Sequence, residues 1–508
     1  MSEEGSTRVS LGPDEALDIP AALARRFPGR DVSVVRRNID ARGRDVRVEL
    51  VVEPGDPVGE VMQLGPPYRE PGSRRAVVVG AGPAGLFAAH SLLVGGVTPV
   101  VIERGSAFPR RHFEARSLRL WGKYQSAAFT SGLGGAGTYS DGKLYTRKRT
   151  PGVREVLRLL AHFGSDRDIM VETHAHVGSN RLPVIIERMV ASLQGAGAQF
   201  RFNETVSGLK VRGGRVVGVV LEGGEEVFGD AVVLAVGNSA RETFASLHDI
   251  GVAMRAKPFA VGLRMEHPRP LIDRLRLGRW AGHEALGAAR YSFAYSREGR
   301  GIFSFCMCPG GHLLPTPPEA GLLAVNGMSH SLRGSEFSNA AVVVSVQPEE
   351  LTGWGSEPFQ GVGFQRHLEE ATFQAGGGGY CAPAQRMVDF LSGRASATLP
   401  ASSYRPGLVP ARLDLLLPGW LVDELRWGLA EAGEAMRGFV SEEALLVGSE
   451  TLTSSPVQFL RGESGQSVSH QGLFPVGEGA GWGGGITTSA ADGLEVGSKL
   501  ARLLAGRW

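Results

Sequence analysis

The sequence predicts an α/β protein in three parts: a small N-terminal βαββ-like unit, an α/β domain divided in sequence, and a mixed α+β domain inserted between its two halves. Three observations predict it. An apolar strand, a glycine-rich turn and a helix follow one another from Ala76 to Leu93, and a second glycine-rich strand, turn and helix run from Gly472 to Leu504. Between about Arg255 and Ser449 that alternation gives way to strands, loops and an amphipathic helix at Trp420 to Met436. The expected boundaries are 1–72 for the N-terminal unit and linker, 73–254 for the first part of the divided domain, 255–449 for the insertion, and 450–508 for the return.

In the N-terminal unit, a helix is expected over Asp14 to Arg26, then strands at Val32 to Arg37 and Val46 to Val52 around a turn at Asp40 to Gly43. Glu53 to Arg74, rich in Pro and Gly, reads as a linker. The next domain opens at Arg75. Ala76 to Val79 is a short apolar strand, Gly80-Ala81-Gly82-Pro83-Ala84-Gly85 the turn, Leu86 to Leu93 the helix, and Pro99 to Ile102 a second strand ending in Glu103. Ala198 to Phe202, Val216 to Leu221 and Asp230 to Val236 read as further strands, with another pairing begun at Val227 to Phe228 and the last strand closing on Gly237-Asn238. The run Gly376 to Gly379 reads as a loop, and there is no tandem repeat.

Composition narrows the function classes. Of 508 residues, 42% are hydrophobic and 21% charged, which suits a folded chain able to bury a large core. Net charge is +2 with basic residues scattered among acids, so neither nucleic acid nor an anionic membrane is an expected partner. The apolar stretch Val94 to Ile102 is too short to span a bilayer, and Met1 to Gly12 lacks the character of a signal sequence. Only three cysteines occur, which argues against a secreted disulfide framework. A cytoplasmic location is expected. The 72 glycines are about double the usual fraction and cluster where a ligand would lie.

The G-x-G-x-x-G run carries a specific chemistry. Gly80 permits the tight turn, Gly82 lets backbone approach a pyrophosphate, and Gly85 lets the helix sit close to the strand, with Pro83 and Ala84 opening it. Phosphate then meets the helix N-terminus, whose first amides have no partner within the helix. Glu103, 18 residues past Gly85 and followed by Arg104, is placed to accept from adenosine ribose hydroxyls. This is a Rossmann-type fingerprint, and FAD and NAD share it. The C-terminal turn separates them. Pro475-Val476-Gly477-Glu478-Gly479-Ala480-Gly481 ends a strand and leads through Trp482-Gly483-Gly484-Gly485-Ile486 into a small-residue helix. There Gly477 and Glu478 suit the ribityl diphosphate of FAD, and the helix opening at Gly485 and Ile486 would face the flavin pyrimidine. A third cluster, with Gly134, Gly135, Gly137 and Thr138, would pass the pyrophosphate and the ring, a surface loop being the alternative. FAD is the expected cofactor and no metal is expected.

The runs SDGKL (Ser140 to Leu144), RMEHP (Arg264 to Pro268), CMCPGG (Cys306 to Gly311), NGMS (Asn326 to Ser329), SSPV (Ser454 to Val457) and PVGEGAGWGGGI (Pro475 to Ile486) resemble a family of bacterial FAD-dependent dehydrogenases that carries a small N-terminal domain. The resemblance covers nearly the whole chain and implies the glutathione-reductase-type FAD fold, with Gly237 bordering the dinucleotide; it leaves the substrate open. The chain departs from the family's pattern between Arg110 and Ser131, where the basic and aromatic run RHFEARSLRLWGKYQSAAFTSG stands. That segment is expected to shape substrate access.

Among reactive side chains, Lys143 is a candidate to act near flavin N5 or to bind phosphate, in company with Ser140 and Asp141. Arg264 could hold a carboxylate and His267 could move a proton, with Glu266 between them; a structural salt bridge is the competing reading. Cys306 and Cys308 stand two apart, which on a regular strand puts their side chains on one face about 7 Å apart. A disulfide there needs a distorted backbone, and the absence of a C-x-x-C or C-x-x-x-x-C pair argues against a thiol–disulfide reductase; packing within a sheet is preferred to lining the active site. His174 and His176 read as surface residues rather than metal ligands.

The expected activity is FAD-dependent dehydrogenation or oxidation of a small organic molecule: an amine, amino acid or biosynthetic intermediate. No second dinucleotide motif is present, so electrons are expected to pass to oxygen or a carrier protein, or NAD(P)H to visit transiently. A W-x-W-x-I-P stretch and a GDAAH-like turn are missing, which disfavours halogenation and aromatic hydroxylation. The competing class is a flavin-binding, redox-sensing module that docks a partner. A homo-oligomer is compatible with the sequence.

Overall fold

In the computed structural model, residues 6–43, 45–62, 65–70, 72–146 and 150–506 are described. A five-stranded parallel sheet forms the centre of the divided domain, in the order Leu473–Pro475, Ala231–Leu234, Arg75–Val79, Thr98–Glu103, Gln199–Phe202. Its strands are short unbroken apolar runs because both faces are covered. Ala76, Val78, Val101 and Val233 point to a layer of helices that includes Pro83–Val94, Leu182–Gly195 and Ile486–Leu504. Val77, Ile102, Val232 and Leu234 point the other way, onto helix Arg241–Asp249 and an antiparallel sheet of Val206–Arg212, Arg215–Leu221 and Glu226–Phe228.

Helices Pro83–Val94 and Ile486–Leu504 approach to backbone contact. A Cβ on Gly493 would lie 2.1 Å from the Ala84 carbonyl oxygen, and one on Gly497 2.8 Å from that of Ala88. The glycines are four apart, as are the alanines, so each pair shares a helix face. Ser91 adds a hydrogen bond to the Leu494 carbonyl at 2.9 Å.

The inserted region folds around a seven-stranded sheet, ordered Ala294–Arg297, Arg300–Cys308, Phe337–Val346, Phe259–Pro268, Leu445–Glu450, Ala382–Arg386, Leu408–Pro410. All neighbours are antiparallel except the last pair. It carries more helix than the sequence reading assigned: besides Gly419–Ala435, it holds Arg269–Leu277, Gln360–Ala375, Met387–Leu391 and Leu413–Leu416. Gln360–Ala375 escaped because its apolar stripe is thin and its first turns carry Gly361 and Gly363. Both are there for close approach: a Cβ would meet Pro456 Cβ at 2.5 Å and the Trp354 oxygen at 1.9 Å.

The N-terminal unit is a βαββ arrangement, with strands Thr7–Leu11, Val32–Asp40 and Arg47–Pro54, helix Ile19–Arg26, and the third strand central. Its Leu11, Val48 and Leu50 join one hydrophobic cluster with Leu263, Met265 and Val342 of the seven-stranded sheet. Among the described residues no helix is long and apolar enough to cross a membrane.

The helix contact makes a direct prediction. Gly493→Val puts two methyls where the Ala84 carbonyl lies and is expected to cost about 3 kcal/mol, read as a lowered midpoint in thermal or urea unfolding. Gly462→Ala, where a Cβ meets open space, is expected to stay within about 0.5 kcal/mol of the parent; equal losses in the two would sink the packing argument.

Candidate functional site: a cleft between the parallel sheet and the seven-stranded sheet

A cleft continuous with solvent opens at the C-terminal ends of the parallel strands, where α/β folds place ligands. One wall is the glycine turn. Gly80 has φ +107, and a Cβ there would stand 2.3 Å from the Ala235 oxygen. Gly82 is the N-cap of helix Pro83–Val94 and supplies no side chain to the first-turn amides, so the positive helix end faces the cleft bare.

Glu103 fastens three glycine segments together. Its buried carboxylate accepts from the amides of Ala81 at 2.9 Å, Gly105 at 2.8 Å and Gly132 at 2.9 Å. A carboxylate has about four acceptor positions, so about one is left for a ribose hydroxyl, and Glu103 lines the cleft.

The loop carrying Gly132 to Thr138 is held from behind by Arg111, which is fully buried. Its guanidinium donates to the carbonyls of Ala128 at 2.8 Å, Gly135 at 2.7 Å and Leu133, and to Thr138 Oγ1 at 3.0 Å, and lies over the Tyr139 ring. On the opposite side, the Glu478 carboxylate accepts from Asn238 Nδ2 at 3.0 Å and from the Gly485 amide at 3.1 Å. Burial pushes its pKa up. Thr487, in the first turn of the last helix, donates to the Leu144 carbonyl at 3.0 Å, which brings that helix end beside Lys143.

Of the residues picked out from the sequence, Gly80, Gly82, Pro83, Ala84, Glu103, Arg104, Gly135, Gly137, Lys143, Gly237, Glu478, Gly485 and Ile486 line this one cleft. Gly85, Gly134, Thr138 and Gly477 stand behind its wall. A Cβ on Gly85 would overlap the Gly80 oxygen at 1.9 Å, one on Gly134 would meet Thr138 Oγ1 at 2.2 Å, and one on Gly477 would meet Ala84 Cβ at 2.6 Å. Their glycines serve packing rather than ligand contact.

His267 requires a correction: it does not reach the cleft. It is fully buried, its Nε2–H donates to the Phe439 carbonyl at 3.0 Å, and its ring packs on Phe439. Burial drives its pKa down to about 4; it is a neutral core residue because the strand turns that face toward the inserted region's own core. Arg264, also fully buried, lies one layer beneath the cleft surface. It donates to Glu450 at 3.1 Å, Asn339 Oδ1 at 2.8 Å and the Cys306 carbonyl at 3.0 Å, so the salt-bridge reading holds for it. His174 is exposed, as expected, while His176 is half-buried. Its Nε2 is buried, and burial lowers its pKa to about 4.

Sequence reasoning missed the far wall. Phe305, Leu314, Thr316, Gly327 and Thr453 face the glycine segments across the cleft, together with Cys306, for which packing within a sheet was the preferred reading. Lys143, 33% exposed, stands among them with its ammonium 3.4 Å from Asp141, which accepts a hydrogen bond from Ser329. Burial opposes its charge, but Asp141, Cys306 and Cys308 outweigh that and raise its pKa. Asn326 and Cys306 were within reach through the runs NGMS and CMCPGG; Arg111 carried no signal beyond its charge.

Residues 258–453 match the family model described as FAD-dependent protein, C-terminal domain-like. A protein of Clostridium beijerinckii (strain ATCC 51743 / NCIMB 8052), described as an uncharacterized protein, is 38% identical over 431 residues, 84% of this chain and 80% of its own. Among solved structures, a flavin-dependent brominase matches with TM-score 0.38 at 11% identity, over 85% of this chain and 81% of that one. A geranylgeranyl bacteriochlorophyll reductase-like protein from Thermoplasma acidophilum matches with TM-score 0.34 at 12% identity, over 85% and 80%. The chain belongs to the family of the Clostridium protein, its residues 258–453 form an FAD-dependent C-terminal-type domain, and FAD is its cofactor.

Proposed function

We propose that the protein is an FAD-dependent oxidoreductase acting on a small organic molecule, an amine, amino acid or biosynthetic intermediate, as a dehydrogenase or oxidase. The observation that carries this reading is the continuity of one cleft from the bare helix end at Gly82 to Lys143 and the polar far wall. A diphosphate would lie on the Gly82 to Ala84 turn and beside Gly135, an adenosine ribose against Glu103, and the ribityl chain by Glu478. The flavin pyrimidine would meet the helix opening at Gly485 and Ile486. The fit rests on backbone: the Gly135 Cβ position lies 3.0 Å from Gly82 Cα, so side chains at either position would fill the space a diphosphate needs.

Bound FAD supplies two-electron chemistry at its ring. The chain's own residues hold the substrate there. Lys143 presents a cation to an anionic or carbonyl group, while Phe305 and Leu314 close the wall. Asp141 and Ser329 fix the direction of Lys143 from beneath. A cleft walled by two sheets favours turnover of a small molecule over the partner-docking module, for which a shallow surface groove would be expected.

The purified protein is expected to show flavin absorption bands as isolated or after reconstitution with FAD, and to lose them anaerobically with its substrate. No flavin bands after reconstitution would overturn the reading. Glu103→Gln is expected to weaken FAD binding about thirtyfold, about 2 kcal/mol for a hydrogen bond to a charged group, measured by flavin fluorescence during reconstitution. Lys143→Met is expected to keep its flavin and slow substrate-driven bleaching by about a hundredfold; an unchanged rate would remove Lys143 from the reaction.

A further inference from the structure

We propose that Cys306 and Cys308 form a redox-active dithiol at the edge of the cleft, closing to a disulfide as the pair gives two electrons to oxidised FAD. The inference rests on the FAD reading above and assigns an electron route to the same site.

A regular strand would hold the two side chains apart. This one is not regular. Strand Arg300–Cys308 pairs Phe305 with Ala341 but Cys308 with Asn339, so one extra residue is inserted between them, a β-bulge. Cys306 takes φ +47 there, a left-handed conformation that costs a non-glycine residue of order 1 kcal/mol or more and that clusters at functional sites. The effect is convergence. Cys306 Sγ and Cys308 Sγ each lie 3.4 Å from the same atom, Lys143 Nζ.

The two sulfurs have different surroundings. Cys306 lines the cleft, whereas Cys308 is fully buried behind it. A hydrogen bond from Cys308 and the charges of Lys143 and Arg264 draw the Cys306 thiol pKa well down against burial. Burial, together with the donated hydrogen bond, holds the Cys308 thiol up. Arg264 reaches Cys308 Sγ at 3.6 Å and the Cys306 carbonyl at 3.0 Å. The other charged or titratable groups that act on the pair are Asp141, Glu450, Arg333 and Tyr291. A half-buried thiolate facing the cleft beside a buried thiol is the arrangement of an attacking and a resolving cysteine. Cys381 differs: its thiol donates to the Pro406 carbonyl at 3.1 Å.

In the step proposed, the Cys306 thiolate and the Cys308 thiol form one S–S bond and release two electrons and the one proton of the Cys308 thiol. Oxidised FAD takes up the two electrons and that proton. Run in reverse, reduced flavin opens the disulfide, so the pair can relay electrons to or from a thiol or disulfide that enters the cleft.

The test uses FAD-loaded protein. After air oxidation, blocking with iodoacetamide and mass analysis of peptides are expected to show Cys381 alkylated and the Cys306–Cys308 peptide unalkylated and lighter by two hydrogens. Anaerobic titration with dithionite is expected to consume two electrons more per flavin in the parent than in Cys308→Ser. Cys306→Ser repeats the comparison if the buried substitution fails to fold. The Cys306 alkylation rate in thiol-reduced protein is expected to stay high several pH units (about 2) below the range of an ordinary thiol, and Lys143→Met to remove that advantage. Retained flavin with separate, alkylated thiols and equal electron uptake would overturn the dithiol alone. Failure to bind FAD would overturn both readings.

Discussion

Everything at the cleft depends on two helices from opposite ends of the nucleotide domain touching at their backbones. Gly493 and Gly497 leave no side chain against Ala84 and Ala88, so helix Ile486–Leu504 can lie on helix Pro83–Val94 at a separation that larger residues would prevent. That contact brings the turn at Glu478 to Gly485 beside the turn at Gly80 to Gly85, although some 400 residues separate them in sequence. The two glycine turns act as one site only because their helices pack as one layer. Glycine's conformational freedom is secondary here. What matters in the helix is the missing Cβ, for which the sequence pays in helix propensity.

With the two turns together, buried charges lock the loops between them. Glu103 accepts three amides from three segments, and Arg111 donates to the opposite, carbonyl side of the Gly132 to Thr138 loop. An acid and a base thus satisfy the amides and the carbonyls of the same irregular backbone. Buried irregular backbone needs such partners, because an unpaired polar group costs about as much as a lost hydrogen bond. The buried bidentate pair Arg241–Glu369 instead joins side chain to side chain, between helix Arg241–Asp249 of the nucleotide domain and helix Gln360–Ala375 of the inserted region.

The parts of this arrangement that were legible in the sequence are those made of local pattern. The Gly80 to Gly85 turn, Glu103 and the Glu478 to Ile486 turn declare themselves because glycine spacing and strand–turn–helix order are local. Burial across the chain is not local. RMEHP held two attractive side chains, yet Arg264 and His267 both went to the interior, since only the strand's neighbours decide which way each residue points. Helix Gln360–Ala375 was obscured by glycines needed for close packing. Arg111 sat in a segment whose basic character suggested an exposed lining, but its charge is spent on four carbonyl and hydroxyl groups in the core. The spacing of Cys306 and Cys308 was read on regular-strand geometry, and a single inserted residue makes that geometry inapplicable.

The charge balance around the two cysteines closes the physical account. Lys143 is matched by Asp141, and Arg264 by Glu450. Burial raises the Glu450 pKa to about 7, against the pull of Arg264. The two thiols face the same cations: Lys143 Nζ lies 3.4 Å from both sulfurs, and Arg264 reaches Cys308 Sγ at 3.6 Å and the Cys306 carbonyl at 3.0 Å. The charge of Cys306 is itself among the causes of the rise at Glu450, so a proton on Glu450 and a negative charge on Cys306 favour one another. The cluster stays near neutral by moving charge onto the sulfur that faces the cleft, which is where an electron pair is useful.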